Sequence, residues 1–244
     1  MIDNRLENFP KQNVQLIERL CNRRFGIGGD GLILLENDPT LDFKMVYYNS
    51  DGNQSTMCGN GGRCLVAFAK KLKMIENHAI FIAVDGLHNA TISQNNIVSL
   101  QMQDVVDIKI AADYVFLNTG SPHHVTIVQD LINFDIKEHG ARIRNSELYG
   151  KSGSNINFVT QISNNEFTIR TFERGVEDET LSCGTGATAT AIAMHAINKS
   201  ASNHIKINVQ GGSLAISFEE NNNVYTNVFL TGKAEFVFEG EIEL

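Results

Sequence analysis

The feature that most constrains this chain is a short motif that occurs twice. Cys58-Gly59-Asn60-Gly61 and Cys183-Gly184-Thr185-Gly186 stand 125 positions apart (183 − 58) in a chain of 244 residues. Their surroundings repeat as well. Phe43-Lys44-Met45-Val46-Tyr47-Tyr48-Asn49 precedes the first copy and Phe167-Thr168-Ile169-Arg170-Thr171-Phe172-Glu173 the second. Both alternate apolar and polar side chains, the period-2 pattern of a half-buried strand. A helical stretch follows each motif, over 65–72 in one half and 187–197 in the other. Further β-rich runs then reach glycines, Ile80-Phe81-Ile82-Ala83-Val84 before Gly86 and Ile205-Lys206-Ile207-Asn208-Val209 before Gly211. The offset from cysteine to glycine is 28 in both halves (86 − 58 and 211 − 183). Polar hairpin tips follow at Gln94-Asn95-Asn96 and Glu220-Asn221-Asn222-Asn223.

A repeat on this scale fixes architecture before any other argument does. The second helix carries Ala187, Thr188, Ala189, Thr190, Ala191, Ala193 and Ala196, small side chains nearly all round, which suits a helix enclosed by other structure. Residues 14–20 form an amphipathic surface helix, and 145–154 read as loop. The expected fold is α+β, with two pseudo-symmetric lobes, each a mostly antiparallel sheet wrapped round a central helix. The lobes are expected at 1–112, carrying Cys58, and 113–244, carrying Cys183, with the last strand free to return to the first lobe.

Composition narrows the function classes. A net charge of −8 repels phosphate backbones, which argues against a nucleic-acid partner. Four scattered cysteines make no secreted disulfide framework. The opening residues lack a signal-peptide apolar core, and no apolar run approaches the roughly 18 residues that span a bilayer. The sequence reads as a soluble cytoplasmic protein.

A cysteine in the first turn of a helix sits where unpaired amides and the helix dipole favour negative charge, so its thiolate is stabilised. The same amides can hold a carboxylate, and the glycines allow it to approach the backbone closely. A single Cys-Gly-x-Gly is an ordinary tight turn with an inert thiol. Two copies in matched halves point instead to opposed thiols across one small carboxylate-bearing molecule. One thiolate removes a proton from one face of a carbon, and the other thiol delivers a proton to the opposite face. That is stereoinversion by two-base catalysis.

Several stretches together resemble the diaminopimelate epimerase family. They are Phe25-Gly26-Ile27-Gly28-Gly29-Asp30-Gly31, Asn49-Ser50-Asp51-Gly52, Met57-Cys58-Gly59-Asn60-Gly61-Gly62-Arg63-Cys64, Asn155-Ile156-Asn157-Phe158, and Glu173-Arg174-Gly175 followed by Cys183-Gly184-Thr185-Gly186. The likeness runs in order along nearly the whole chain. It implies cofactor-independent interconversion of LL- and meso-diaminopimelate, in lysine and peptidoglycan-precursor biosynthesis, by a homodimer formed near Phe238. It also implies roles by position: Cys58 and Cys183 as the acid/base thiols, His123 and Glu173 tuning them. Asn49, Gly59, Asn60, Asn155, Glu173, Arg174, Gly184 and Thr185 would bind substrate. Arg174 suits the distal carboxylate, because its planar fork donates two hydrogen bonds at once.

The sequence also departs from the family pattern. Family members begin with a strand and a Gly-Asn-Asp-Phe turn ahead of the segment seen here as Ile2-Asp3-Asn4-Arg5, so the expectation is a first sheet short of one strand and a weakened enzyme. Ser121 stands where an asparagine is usual, Gly31 replaces a glutamine, and one residue is inserted within Val176-Glu177-Asp178-Glu179. The rival readings are a proline- or hydroxyproline-type racemase, which shares the thiol pair without needing Glu173-Arg174, and a truncated, non-catalytic ligand-binding form. No metal is expected, since Cys58 and Cys64 lack zinc-ligand spacing.

Overall fold

The computed structural model describes residues 1–55 and 57–242. The chain forms two compact units, residues 1–100 with 233–244, and residues 101–232. The sequence places the division later, at 112/113. The intervening segment belongs with the second unit because Met102 N–H donates to Val228 O and Val105 exchanges backbone hydrogen bonds with Tyr225.

The first unit contains β1 (Ile2–Asp3), α1 (Val14–Cys21), β2 (Gly31–Glu36), β3 (Phe43–Asn49), α2 (Gly59–Lys71), β4 (His78–Ala83), β5 (Gly86–Ile92) and β6 (Ile97–Gln101). Its strands lie side by side in chain order, antiparallel apart from the β1/β2 and β3/β4 pairs. β2 is covered on both faces, which explains its unbroken apolar run. Leu32 and Leu34 pack with Ile17, Leu20 and Cys21 of α1, while Ile33 faces Gly61 of α2.

The second unit contains β7 (Ile108–Ile110), β8 (Val115–Asn118), β9 (Pro122–Ile127), α3 (Ile136–Arg144), β10 (Asn155–Ser163), β11 (Glu166–Glu173), β12 (Asp178–Thr180), α4 (Gly184–Ala196), β13 (His204–Val209), β14 (Gly212–Asn221) and β15 (Val224–Lys233). The strand order is β15-β14-β13-β11-β10-β9-β8-β7, with β12 on β11. Here β9/β10 and β11/β13 are the parallel pairs. α4 lies against strands from β8 to β14 and is buried from Gly186 to Met194. α3 covers the other face of β10 and β11, where Ile136, Ile156, Phe158 and Phe172 form a separate cluster.

The α+β architecture read from the repeat is present. Each unit holds a strand, a central helix and a parallel strand, followed by an antiparallel hairpin: β3-α2-β4-β5 in one and β11-α4-β13-β14 in the other. Both helices have 13 residues. They start directly after the cysteines, earlier than apolar periodicity predicts, because the glycine-rich turn is itself the first helical turn. One further correction concerns the hairpin glycines. Gly86 opens β5 at φ +125, and its counterpart opening β14 is Gly212 at φ +137, so Gly211 is not the equivalent position. The connection from α4 to β13 is one residue longer than that from α2 to β4.

Candidate active site

Each unit presents one cysteine at the start of its central helix, and the two have nearly the same backbone conformation. Cys58 caps α2 at φ −107, ψ 122 and Cys183 caps α4 at φ −113, ψ 109. Extended geometry at the cap can turn the side chain toward the first-turn amides. Cys183 shows this directly, since its Sγ accepts the Gly186 N–H at 3.3 Å, whereas the Cys58 side chain makes no capping hydrogen bond.

In the first unit, Cys58 is half-buried and Gly59 is buried. Arg63, one turn further on, folds back over this end of α2. Its guanidinium donates to Asn60 Oδ1 at 2.9 Å and to Gly59 O at 3.3 Å. Its Nε is buried with no hydrogen-bond partner among the described residues. Burial pushes the Arg63 guanidinium down from its ordinary value, against the opposing effect of the Cys64 and Cys58 thiols. Sequence reading did not single out Arg63, although its place three and four residues after Asn60 and Gly59, one helical turn on, is the signal that could have done so. Asn49 ends β3 exposed, its backbone closing the 49–53 turn. At Gly31 a Cβ would stand 2.5 Å from both the Tyr47 ring and the Tyr48 carbonyl. This position therefore has no room for a glutamine without a rearrangement of Tyr47 and of β3.

The second unit gathers more of the expected residues. Around Cys183 lie Thr185, whose Oγ1 is 3.4 Å from Sγ, and Ser121, whose Oγ is 3.3 Å from Thr185 Oγ1. Ser121 Oγ also meets His123 Nε2 at 2.9 Å and Asn155 Nδ2 at 3.1 Å. Asn155 Oδ1 accepts the Arg174 backbone N–H at 2.9 Å. The Arg174 guanidinium donates to Ser152 O at 3.1 Å, and Glu173 Oε2 accepts the Thr180 hydroxyl at 2.9 Å. The stretch with the extra residue forms the β11–β12 hairpin, turned by Gly175 at φ +92.

His123 is completely buried. Burial, and then the nearby charge of Arg174, push it down to about 3, so the ring is neutral. Its Nδ1 lies 3.1 Å from Asn157 Nδ2, and Thr171 donates to Asn157 Oδ1 at 2.9 Å. Sequence reading assigned Asn157 and Thr171 no part in the site. The available signal was the Asn155-Ile156-Asn157 alternation, which puts both amides on one face of a strand. That face meets α4 so closely that a Cβ at Gly186 would stand 2.5 Å from Asn157 Oδ1. Among the described residues no group of histidine, cysteine or acidic side chains is placed to hold a metal ion.

The repeated strand-helix-strand fold has counterparts among solved structures. A phenazine biosynthesis protein from Bacillus anthracis superposes with a TM-score of 0.77 at 12% identity, over 99% of this chain and 91% of that one. A probable proline racemase from Agrobacterium radiobacter gives 0.71 at 16%, over 97% and 82%. At such identities the likeness is one of fold.

Sequence is more specific. Residues 1–106 and 115–237 match the diaminopimelate epimerase family. The diaminopimelate epimerase of Flavobacterium psychrophilum is 69% identical over 242 residues, covering 99% of this chain and 94% of that protein. The one from Chlorobaculum tepidum is 38% identical over 100% of this chain and 96% of its own length. The chain belongs to the diaminopimelate epimerase family, a family of isomerases.

Proposed function

We propose that this protein interconverts LL- and meso-diaminopimelate by moving one proton at Cα between Cys58 and Cys183, without a cofactor, in lysine and peptidoglycan-precursor biosynthesis. The observation that carries the chemistry is the matched placement of the two cysteines, each capping the central helix of its unit in the same extended conformation. The 69% identity to a diaminopimelate epimerase supports this substrate over a proline-type one.

One thiolate takes the Cα proton, breaking C–H and forming S–H. The resulting carbanion takes a proton from the other thiol on the opposite face, so the pair holds one proton before and after turnover, two while the carbanion exists, and exchanges roles with direction. Negative charge grows on the substrate's α-carboxylate as the carbanion forms. First-turn amides at Gly59-Asn60 and Gly184-Thr185 are suited to stabilise it. Asn49, Asn155 and the Glu173-Arg174 pair hold the remaining amino and carboxylate groups, and His123 and Glu173 tune the thiols.

Among the described residues no helix is long and apolar enough to cross a membrane. With a biosynthetic substrate of this kind, that supports a cytoplasmic location. Phe236, Val237 and Phe238 are each more than half exposed, which supports a homodimer covering them, a mass that light scattering after gel filtration measures.

The test of the reaction uses LL-diaminopimelate in deuterated water. The wild-type protein should produce the meso form with deuterium at Cα. Cys58→Ser and Cys183→Ser should each lower conversion by about 10²-fold or more, the usual worth of a positioned acid or base. Conversion at the wild-type rate by either variant rules out the two-thiol scheme.

A further inference from the structure

We propose that Thr171 and Asn157 set the direction of a hydrogen-bond chain running through His123, Ser121 and Thr185 to Cys183. Thr171, Asn157 and Ser121 are then positioning residues that keep a donor aimed at that sulfur. The inference rests on the reading of Cys183 as an acid/base group and goes beyond it, because it says what holds the thiol ready.

The direction follows from counting donors and acceptors. Asn157 Nδ2 donates to the carbonyl of His124 at 3.0 Å, while its Oδ1 accepts the Thr171 hydroxyl at 2.9 Å. Turning the amide over would set two oxygens against each other at the His124 carbonyl, so its orientation is settled. The second Nδ2 hydrogen then points at His123 Nδ1, which must offer a lone pair. A neutral ring with Nδ1 as acceptor carries its proton on Nε2, and that proton goes to Ser121 Oγ at 2.9 Å.

Asn155 is oriented by the same kind of argument. Its Oδ1 accepts the Arg174 N–H, and its Nδ2 donates to Pro122 O at 3.2 Å and to Ser121 Oγ. The Ser121 oxygen therefore receives two donors, filling both lone pairs. Its own proton must leave, and the remaining neighbour is Thr185 Oγ1 at 3.3 Å. Thr185, receiving that bond, has its hydroxyl proton left for Cys183 Sγ at 3.4 Å. With the Gly186 N–H at 3.3 Å, Cys183 faces two donors, an arrangement that favours its thiolate.

One chemical consequence is specific. His123 has no lone pair to take the Cys183 proton, because Nε2 is protonated and Nδ1 is occupied by Asn157. The ring acts as a fixed donor and not as a base. Cys183 therefore exchanges its proton with substrate and with solvent, and not with His123. The Ser121–Thr185 step is the longest between oxygens in the chain, so substitution at Ser121 reports on the chain most directly.

Two measurements test this. In protein labelled with ¹⁵N at histidine, long-range proton–nitrogen correlation at neutral pH reads the His123 tautomer, assigned by the signals lost in His123→Gln. Nε2 is expected protonated and Nδ1 not. A protonated Nδ1, alone or with Nε2, overturns the proposal, and this reading is made on the wild-type protein.

The second measurement is iodoacetamide alkylation of Cys183 at fixed pH, followed by peptide mass spectrometry. Ser121→Ala should slow it by about twofold to tenfold, the worth of one hydrogen bond between neutral groups in the chain. Thr171→Val should slow it less, and Ser121→Thr should restore it. The rate at Cys21, buried in the other unit, should not change. A wild-type rate at Cys183 in Ser121→Ala overturns the proposal. Failure of the function reading would appear separately, as wild-type protein that leaves deuterium out of diaminopimelate while the tautomer and the alkylation rates stand.

Discussion

Gly186 stands where the second half-site has no room for a side chain. A Cβ there would stand 2.5 Å from Asn157 Oδ1 and 3.2 Å from Cys183 Sγ. Asn157 has little room to retreat, since three hydrogen bonds hold its amide. Gly186→Ala is therefore expected to destabilise the protein by about 1–3 kcal/mol, the range for overpacking a filled core, and to displace the Cys183 sulfur. Thermal unfolding checks the first effect, and an unchanged midpoint would contradict it. The two cysteine-glycine motifs were legible in the sequence because they recur in matched surroundings 125 positions apart. Asn157 and Thr171 were not. A strand alternating Asn and Ile separates its two faces but does not say which is solvated, and here both are covered, one by α4 and the other by α3. Polar side chains on the α4 face are consequently buried and bonded to one another. Period-2 reading has no means to show this.

At the scale of elements, β2 illustrates the effect of covering both faces of a strand. Its last residue, Glu36, is buried at 2% exposure, accepting from Asn4 Nδ2 at 2.7 Å and pairing with Lys11 at 2.8 Å and Lys44 at 3.5 Å. Asn4 in turn accepts the Phe9 N–H, so this carboxylate ties the segment around β1 to the sheet. Burial alone would raise the Glu36 carboxyl, but the bonds from Lys11 and Asn4 and the charges of both lysines outweigh it and hold it below its ordinary value. A carboxylate lowered on folding adds stability that is fully present above its unfolded value and is lost as pH falls through the folded one. Glu36→Gln is accordingly expected to cost about 1–2 kcal/mol at pH 7, with the deficit shrinking once the pH passes below 4.5. Urea unfolding at several pH values measures it, and a deficit independent of pH would refute the role given to the charge. The apolar run of β2 was not singled out as a strand by sequence reading, because an unbroken run has no period. α4 was anticipated as an enclosed helix because its small side chains go all round. Its start was misplaced only because apolar spacing begins after the glycines.

For the molecule as a whole, the repeat was the legible part, and the division between units was less so. A boundary drawn from motif spacing cannot anticipate that Met102 and Val105 join β15 through backbone bonds, which fixes 101–105 in the second unit. That unit also has a distinctive response to acid. His123 is held down to about 3 by burial and by Arg174. His124 is held down to about 4 by burial against the opposing charge of Asp113, with Tyr149 OH 2.7 Å from its Nδ1 and the Tyr114 ring stacked on it. Both are neutral when folded, and once unfolded they take up protons near the ordinary histidine value of 6.5. The unfolded chain therefore binds more protons between 6.5 and these lowered values, so stability is full above 6.5 and falls as the pH is taken below it. At pH 5 each histidine accounts for a loss of about 2 kcal/mol relative to pH 7, from about 1.4 kcal/mol per pH unit. Chemical unfolding across that range should show the decline, with amide exchange accelerating in β9 and β10, where His123, His124 and Asn157 lie. His124→Gln, which lacks the titrating ring, should reduce the slope by about half. A variant that keeps the wild-type slope would show that the acid sensitivity arises elsewhere.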